Sequence, residues 1–193
     1  MAAAPTVHPP GTARIPWHPD KTENAMLSPA YVAALARYNR WANERLYHAV
    51  AGLTDSEYRK TRPSFFGSIR NTLNHLLVGD KVWMARFEGG ASGIASLDQI
   101  LHDDFDSLRR ARAAEDARIV AALENFDAAK LSTVLVYRSL TAGEARVRYD
   151  LGLAHMFNHQ THHRGQVHDQ LSATDVAPPP LDFIHYVREH MPA

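Results

Sequence analysis

His155, His159, His162 and His163 stand within nine residues of one another. On a helix, His159 and His163 fall one turn apart on the same side. Two imidazoles at that spacing can direct ring nitrogens at one ion about 2 Å away, so the stretch reads as half of a divalent metal site. From His159 the frame is that of the His-Glu-x-x-His helix of zinc peptidases, but Gln160 occupies the place of the glutamate. An amide cannot take a proton from water, and peptidase chemistry is excluded on that ground. A third ligand has to come from elsewhere, because catalytic zinc sites take three protein ligands. His75, in Asn71-Thr-Leu-Asn-His75-Leu-Leu-Val-Gly-Asp80, is the best candidate. Taken alone, the i, i+4 pair fits either an ion or a hydrogen-bonded core.

The elements that must position these histidines are helices. Ser28 before Pro29 is an N-cap with proline at the first helical position, and Leu35, Tyr38, Ala42, Leu46 and Ala49 then recur at helical spacing up to Gly52. This predicts a first helix over about 29–51. Residues 52–67, with Gly52, Pro63, Gly67 and the Phe65-Phe66 pair, read as a connection that packs aromatics over one end of the fold. A second helix over about 68–88 is capped by Ser68, striped by Leu73, Leu76, Leu77, Met84 and Phe87, and stopped by Gly89-Gly90. A third, charge-rich helix is expected over about 97–126. The period then changes: Val134, Val136 and Tyr137, then Ala145, Val147 and Tyr149, flank Ala142-Gly143 and predict a short β-hairpin over about 133–149. The fourth long helix, about 150–171, carries the histidines, and Pro178-Pro179-Pro180 precedes a short final helix over about 181–189. The fold class is therefore all-α, a four-helix bundle with a small β-hairpin insertion before the last long helix.

Composition sets the outer bounds. With 193 residues, 45% of them hydrophobic, the chain makes one well-buried domain, read as 26–193. Residues 1–25, with five prolines among small and polar residues, are expected to form a disordered or extended tail, with Ile15 and Trp17 as its candidates for docking on the body. Lys plus Arg and Asp plus Glu total 21 each, so no net field draws nucleic acid or an anionic membrane, and the run Arg109-Arg110-Ala-Arg112 reads as a solvated helix face. There is no cysteine, which removes thiolate ligands, disulfides and a cysteine nucleophile. No stretch has the roughly 18 apolar residues of a membrane span and no secretion signal is visible, so a cytoplasmic protein is expected.

Helical phase sorts the histidines. At 100° per residue, His163 lies roughly 70° from the centre of the apolar side formed by Leu153, Met156, Phe157, Val167 and Leu171, and His159 roughly 110°. His155 and His162 fall roughly 150° and 170° away, so His159 with His163 is the favoured pair. His75 lies off the main stripe of its helix, in a second row with Val78 and Val82, which implies a helix with neighbours on two sides. Asp80 falls within the main stripe, where an unpaired carboxylate is costly. A partner for it is expected on the first helix, from Arg40, Asn39, Asn43 or the Trp41 indole.

Three segments resemble, in order, the DinB/YfiT-like family of small bacterial metalloproteins: Tyr38-Asn39-Arg40-Trp41-Ala42-Asn43, Leu73-Asn74-His75-Leu76-Leu77-Val78-Gly79-Asp80, and the His155 to Gln166 stretch. The resemblance spans about residues 26–190 and implies a four-helix bundle, often a homodimer. It also implies a divalent metal, zinc or nickel, held by one histidine of the second helix and a His-x-x-x-His pair of the fourth. On this chain those are His75, His159 and His163. Some members transfer low-molecular-weight thiols onto electrophiles, or isomerise a substrate with thiol help. The leading expectation is thus a metal-dependent enzyme activating a thiol or water for a small-molecule substrate, with Arg164, Gln166 or Tyr38 as auxiliary groups. The alternative is a noncatalytic metal-binding stress-response scaffold. A fourth protein ligand, His155 or Asp80, would favour the scaffold.

Overall fold

The computed structural model describes residues 25–140 and 143–191. The proposed tail, apart from Ala25, lies outside the described residues, as do Thr141 and Ala142 of the hairpin turn. The four long helices are α1 (Pro29–Val50), α3 (Ile69–Phe87), α4 (Phe105–Glu124) and α6 (Tyr149–Ser172). Short helices α2 (Asp55–Arg59), α5 (Ala128–Leu131) and α7 (Phe183–His190) fill connections and the C-terminal end. Strands β1 (Val134–Ser139) and β2 (Gly143–Arg148) pair antiparallel, with Leu135 opposite Val147 and Tyr137 opposite Ala145, directly before α6. The all-α bundle with its hairpin insertion is the architecture that the hydrophobic periods predict.

Local chemistry accounts for the helix starts. Ser28 Oγ accepts from the Tyr31 amide and Pro29 opens α1; Ser68 Oγ accepts from the Asn71 amide at the start of α3. The third helix begins later than the sequence suggests. Asp104 caps it through the Ser107 amide, while the amides of Leu101 and His102 are both taken by Asn74 Oδ1 of α3. Residues 97–104 are thus held as a loop against α3 instead of forming a first helical turn. The connection of which that loop is part is the second neighbour implied by the off-stripe row: Val78 and Val82 pack with Ile94 and Leu101.

α1 packs on α4 and α3 on α6, and the α1·α6 and α3·α4 contacts close a square bundle. Its core has two apolar layers. One gathers Val32, Met84, Ile119, Leu123, Leu153 and Met156; the other gathers Leu46, Leu73, Leu77, Leu108, Val167 and Leu171. Each fully buried Leu or Met contributes about 1.5–3 kcal/mol.

Between the layers runs a polar belt that draws on all four long helices. Arg112 of α4 stands 2.8 Å from Asp80 of α3 and 2.9 Å from Asp116 on its own helix, although its N–H bonds are not aimed along these contacts. These are ion pairs held by proximity of charge. Asp116 also accepts from Asn43 and Asn39 of α1, whose carbonyl oxygens accept in turn from Arg164 of α6. Two buried arginines thus face two buried aspartates. Asp80 does need a partner, but the partner is Arg112 on α4 and not a residue of α1. The basic run is accordingly split: Arg109 and Arg110 are exposed while Arg112 is only 2% exposed. The phase that makes Leu108 and Ile119 core residues also turns Arg112, Glu115 and Asp116 inward.

Candidate metal centre

α3 and α6 bring His75, His159 and His163 together, with one ring nitrogen from each within 4.8 Å of the others. Ring centroids are 4.9 Å apart for His75 and His159, 4.6 Å for His75 and His163, and 4.3 Å for His159 and His163. His75 and His163 are 6% and 8% exposed, and His159 is half-buried. Nε2 of His75 and Nε2 of His159 face each other at 2.9 Å. Two nitrogens so placed share either one proton or one ion.

Outer hydrogen bonds decide which nitrogens point inward. His75 Nδ1 lies 2.7 Å from the Leu97 carbonyl, which can only accept, so Nδ1 carries the proton and Nε2 keeps its lone pair. His163 Nδ1 donates to Gln166 Oε1 at 2.8 Å, and Gln166 Nε2 donates to His162 Nε2 at 3.2 Å. Burial lowers the pKa of His75 and His163, while burial and then the charges of neighbouring imidazoles bring His159 down to about 3. Neutral rings are the form that binds a metal. Three imidazoles without a carboxylate or thiolate suit zinc, nickel, copper or iron and not magnesium or calcium. Their spread is on the scale of one four-coordinate ion, whose ligand nitrogens stand ~3–4 Å apart. On this donor set the cluster can hold a divalent metal ion.

Sequence reasoning did not anticipate three neighbours of the cluster. Phe66 stacks on His75 at 4.1 Å between centroids and meets His163 edge-on at 5.4 Å. Phe65 instead stands 85% exposed, touching Phe66 edge to face, so only half of the expected aromatic pair packs. Asn74 fastens the 97–104 loop by donating to the His102 carbonyl as well as taking the two amides, and so places the Leu97 oxygen. Gly79 lies under His159: a Cβ there would stand 2.8 Å from His159 Cε1. A Gly-Asp pair after an apolar run was the available signal, since an unexplained helical glycine marks a close approach.

The remaining candidates fall outside the cluster. Arg164 turns to Asn39, Asn43 and the Tyr38 ring; the Tyr38 hydroxyl donates to the Leu181 carbonyl. Both hold the bundle and its C-terminal aromatic group. Gln166 is the one auxiliary that reaches the site. His162 is exposed, His155 rests on the Trp83 ring at 5.0 Å, and Asp80 is committed to Arg112.

The model of the DinB family matches residues 26–191, a span that holds every described helix and strand and all three histidines. The chain belongs to the DinB family. It is 26% identical over 160 residues to the protein described as Protein DinB of Bacillus subtilis (strain 168), covering 79% of this chain and 91% of that one. Among the described residues of this DinB family member, no helix is long and apolar enough to cross a membrane.

The seat of His159 gives a direct test. Gly79→Ala keeps every candidate ligand but pushes the imidazole aside, and the expected result is a loss of metal affinity of about 10-fold to 100-fold, as for outer-shell changes. Competition against a chromophoric chelator measures it. Unchanged affinity in Gly79→Ala would show that the close approach does not seat the ring.

Proposed function

We propose that this DinB family member is a metal-dependent enzyme in which His75, His159 and His163 hold one divalent ion, zinc or nickel. The preferred reaction is transfer of a low-molecular-weight thiol to an electrophile, with water as the other nucleophile. The observation that carries the reading is the convergence of three neutral imidazoles, two of them oriented by outer hydrogen bonds, with no fourth protein ligand joining them among the described residues. Structural zinc sites use four protein ligands, whereas catalytic sites use three. The two side chains that a scaffold site would recruit are engaged elsewhere, Asp80 with Arg112 and His155 on Trp83.

A bound ion would supply the charge that lets a thiol or water lose its proton near neutral pH. The chain's own residues fix the rest. Leu97 and Gln166 hold two imidazoles in the tautomer that presents Nε2, and Phe66 shields one side of the cluster from water. The thiol class rests on the family resemblance, since the printed name of the Bacillus relative states no substrate.

Two measurements test the reading. Added zinc or nickel should raise the melting temperature of the wild type, and this gain should vanish in His75→Ala because the link between α3 and α6 is gone. Metal-loaded protein should then conjugate glutathione to an activated aryl halide, with activity lost on chelation. An unchanged metal-induced shift in His75→Ala excludes that ligand, and no turnover with any thiol tried rejects the transferase reaction.

A further inference from the structure

α3 carries a second polar feature that the histidine cluster does not use. At 100° per residue, His75, Gly79, Val82 and Arg86 fall in one row along the helix. The far end of this row opens on a cavity of about 600 Å³ between the end of α3, the glycine-rich turn at 89–93 and β1. Among the described residues its walls include Arg86, Arg138, Ile94 and Tyr137, and no acidic residue. Glu88, the nearest acid in sequence, is paired with Arg118 of α4.

Arg86 is held in an unusual way. Its guanidinium lies 4.6 Å from the centroid of the Trp83 ring and 4.3 Å from that of Tyr137. The two rings are themselves 5.5 Å apart at 58°, so the cation rests over the corner they make, and this contact engages none of its five N–H donors with an oxygen acceptor. Among the described residues no carboxylate lies within ion-pair reach of it and no acceptor takes those donors. Burial pulls its pKa below the ordinary arginine range, the sign of a charge partly stripped of water without a counter-ion. The tyrosine and tryptophan also fix its position, so an incoming anion would not have to order a free side chain.

The Trp83 and His155 rings lie between this site and the histidine cluster. Trp83 touches His155 at 5.0 Å, and the His155 ring is 5.9 Å from His159. His159 lies against Gly79, and Arg86 follows seven residues later, roughly 10 Å along the helix axis. That is about the span of three extended peptide units.

We propose that Arg86, seated over the Trp83 and Tyr137 rings, anchors a carboxylate of a peptide-sized anionic thiol that lies along α3 with its sulfur end at the histidine cluster. The proposal rests on the thiol reading given above and adds a size and charge requirement to it. A thiol of two or three carbons cannot span that distance, and a neutral one leaves the guanidinium unpaired. A hydrogen bond to a charged partner is worth roughly 10-fold to 100-fold in affinity, and a two-pronged pair with arginine is the strong form of it.

Calorimetric titration of the metal-loaded full chain with glutathione and with its diethyl ester tests the charge requirement. The free acid should bind at least about 10-fold more tightly than the ester to the wild type. Arg86→Gln should bind acid and ester alike, and Arg86→Lys, which keeps the charge but not the fork, should fall between. Metal affinity should be unchanged in both variants, because no ligand is touched. The Arg86 Nε–H signal in a nitrogen-resolved spectrum should shift with the acid and not with the ester. Equal binding of acid and ester to the wild type, which needs no variant to fold, overturns the proposal, as does a preference for the acid that survives in Arg86→Gln. S-methylglutathione separates this result from the thiol reading. If it shows the same dependence on Arg86 and binds as tightly as glutathione, the anion site stands while thiol recognition by the metal centre fails.

Discussion

His163→Ala is expected to bind zinc or nickel more than about 100-fold more weakly than the wild type, while its neighbour His162→Ala stays within about 10-fold, since even outer-shell partners are worth roughly 10-fold to 100-fold. One helical step of 100° separates the two rings. It leaves His163 8% exposed with its inner nitrogen in the cluster, and turns His162 out to solvent. The small effect at His162 has a defined source: its Nε2 accepts from Gln166, whose oxygen accepts the His163 Nδ1 proton. Gln166→Leu, which removes both bonds, should therefore fall between the two histidine variants. Metal titration at about pH 7.5, where imidazoles are neutral, ranks all three in one buffer. Normal binding by His163→Ala with a deficit in His162→Ala would reverse the helix phase and remove the His159 and His163 pair as ligands.

That phase could be read in advance because α6 is long and apolar residues on one side bracket the histidines, Leu153, Met156 and Phe157 before them and Val167 and Leu171 after. The caps at Ser28 and Ser68 were legible for the same reason that they work: a hydroxyl placed to accept a first-turn amide. His75 was harder. Its row on α3 runs along the seam between α6 and the 89–104 connection, so periodicity gives two faces and no means of choosing between them, and the resemblance to the DinB family supplied the choice. The loop itself was misread as helix because Leu101, Phe105 and Leu108 are helically spaced, yet Asn74, far away in sequence, takes the amides that a first turn would use. A tertiary hydrogen bond of that kind leaves no local period. The same holds for Leu97, whose contribution to the site is a backbone carbonyl that any residue could offer. Gly79 left a trace, a glycine inside a helix, but only the position of His159 explains it.

The polar belt was the other part that spacing concealed, because an arginine among arginines reads as surface. Its consequence is a large expected effect on stability. Arg112→Met should cost about 3–5 kcal/mol, the usual result of removing one partner from a buried ion pair. It leaves Asp80 and Asp116 facing each other between two apolar layers, answered by the α1 asparagines and Gln160 and, through the asparagines, by Arg164. Replacing the group as a whole, Asp80→Leu with Arg112→Met and Asp116→Leu, should cost far less, since desolvation of all three charges is relieved together. The two variants separate a belt that sets helix register from one that supplies net stability. The pH dependence follows from the carboxylates. Burial raises the pKa of both in the wild type, Asp116 to about 6, against the pull of Arg112, and loss of that cation raises them further. The folded variant then binds more protons than the unfolded chain above the ordinary carboxylate range, so its stability falls as pH rises. Urea unfolding in the presence of a chelator, which removes any contribution of a bound metal, should show the Arg112→Met deficit shrinking between about pH 8 and about pH 5 with little change in slope. A deficit below about 1 kcal/mol, the size of a surface pair, would show that water reaches the belt. A deficit that does not change with pH would show that the two carboxylates stay charged, answered by the asparagines and Arg164 and not by Arg112.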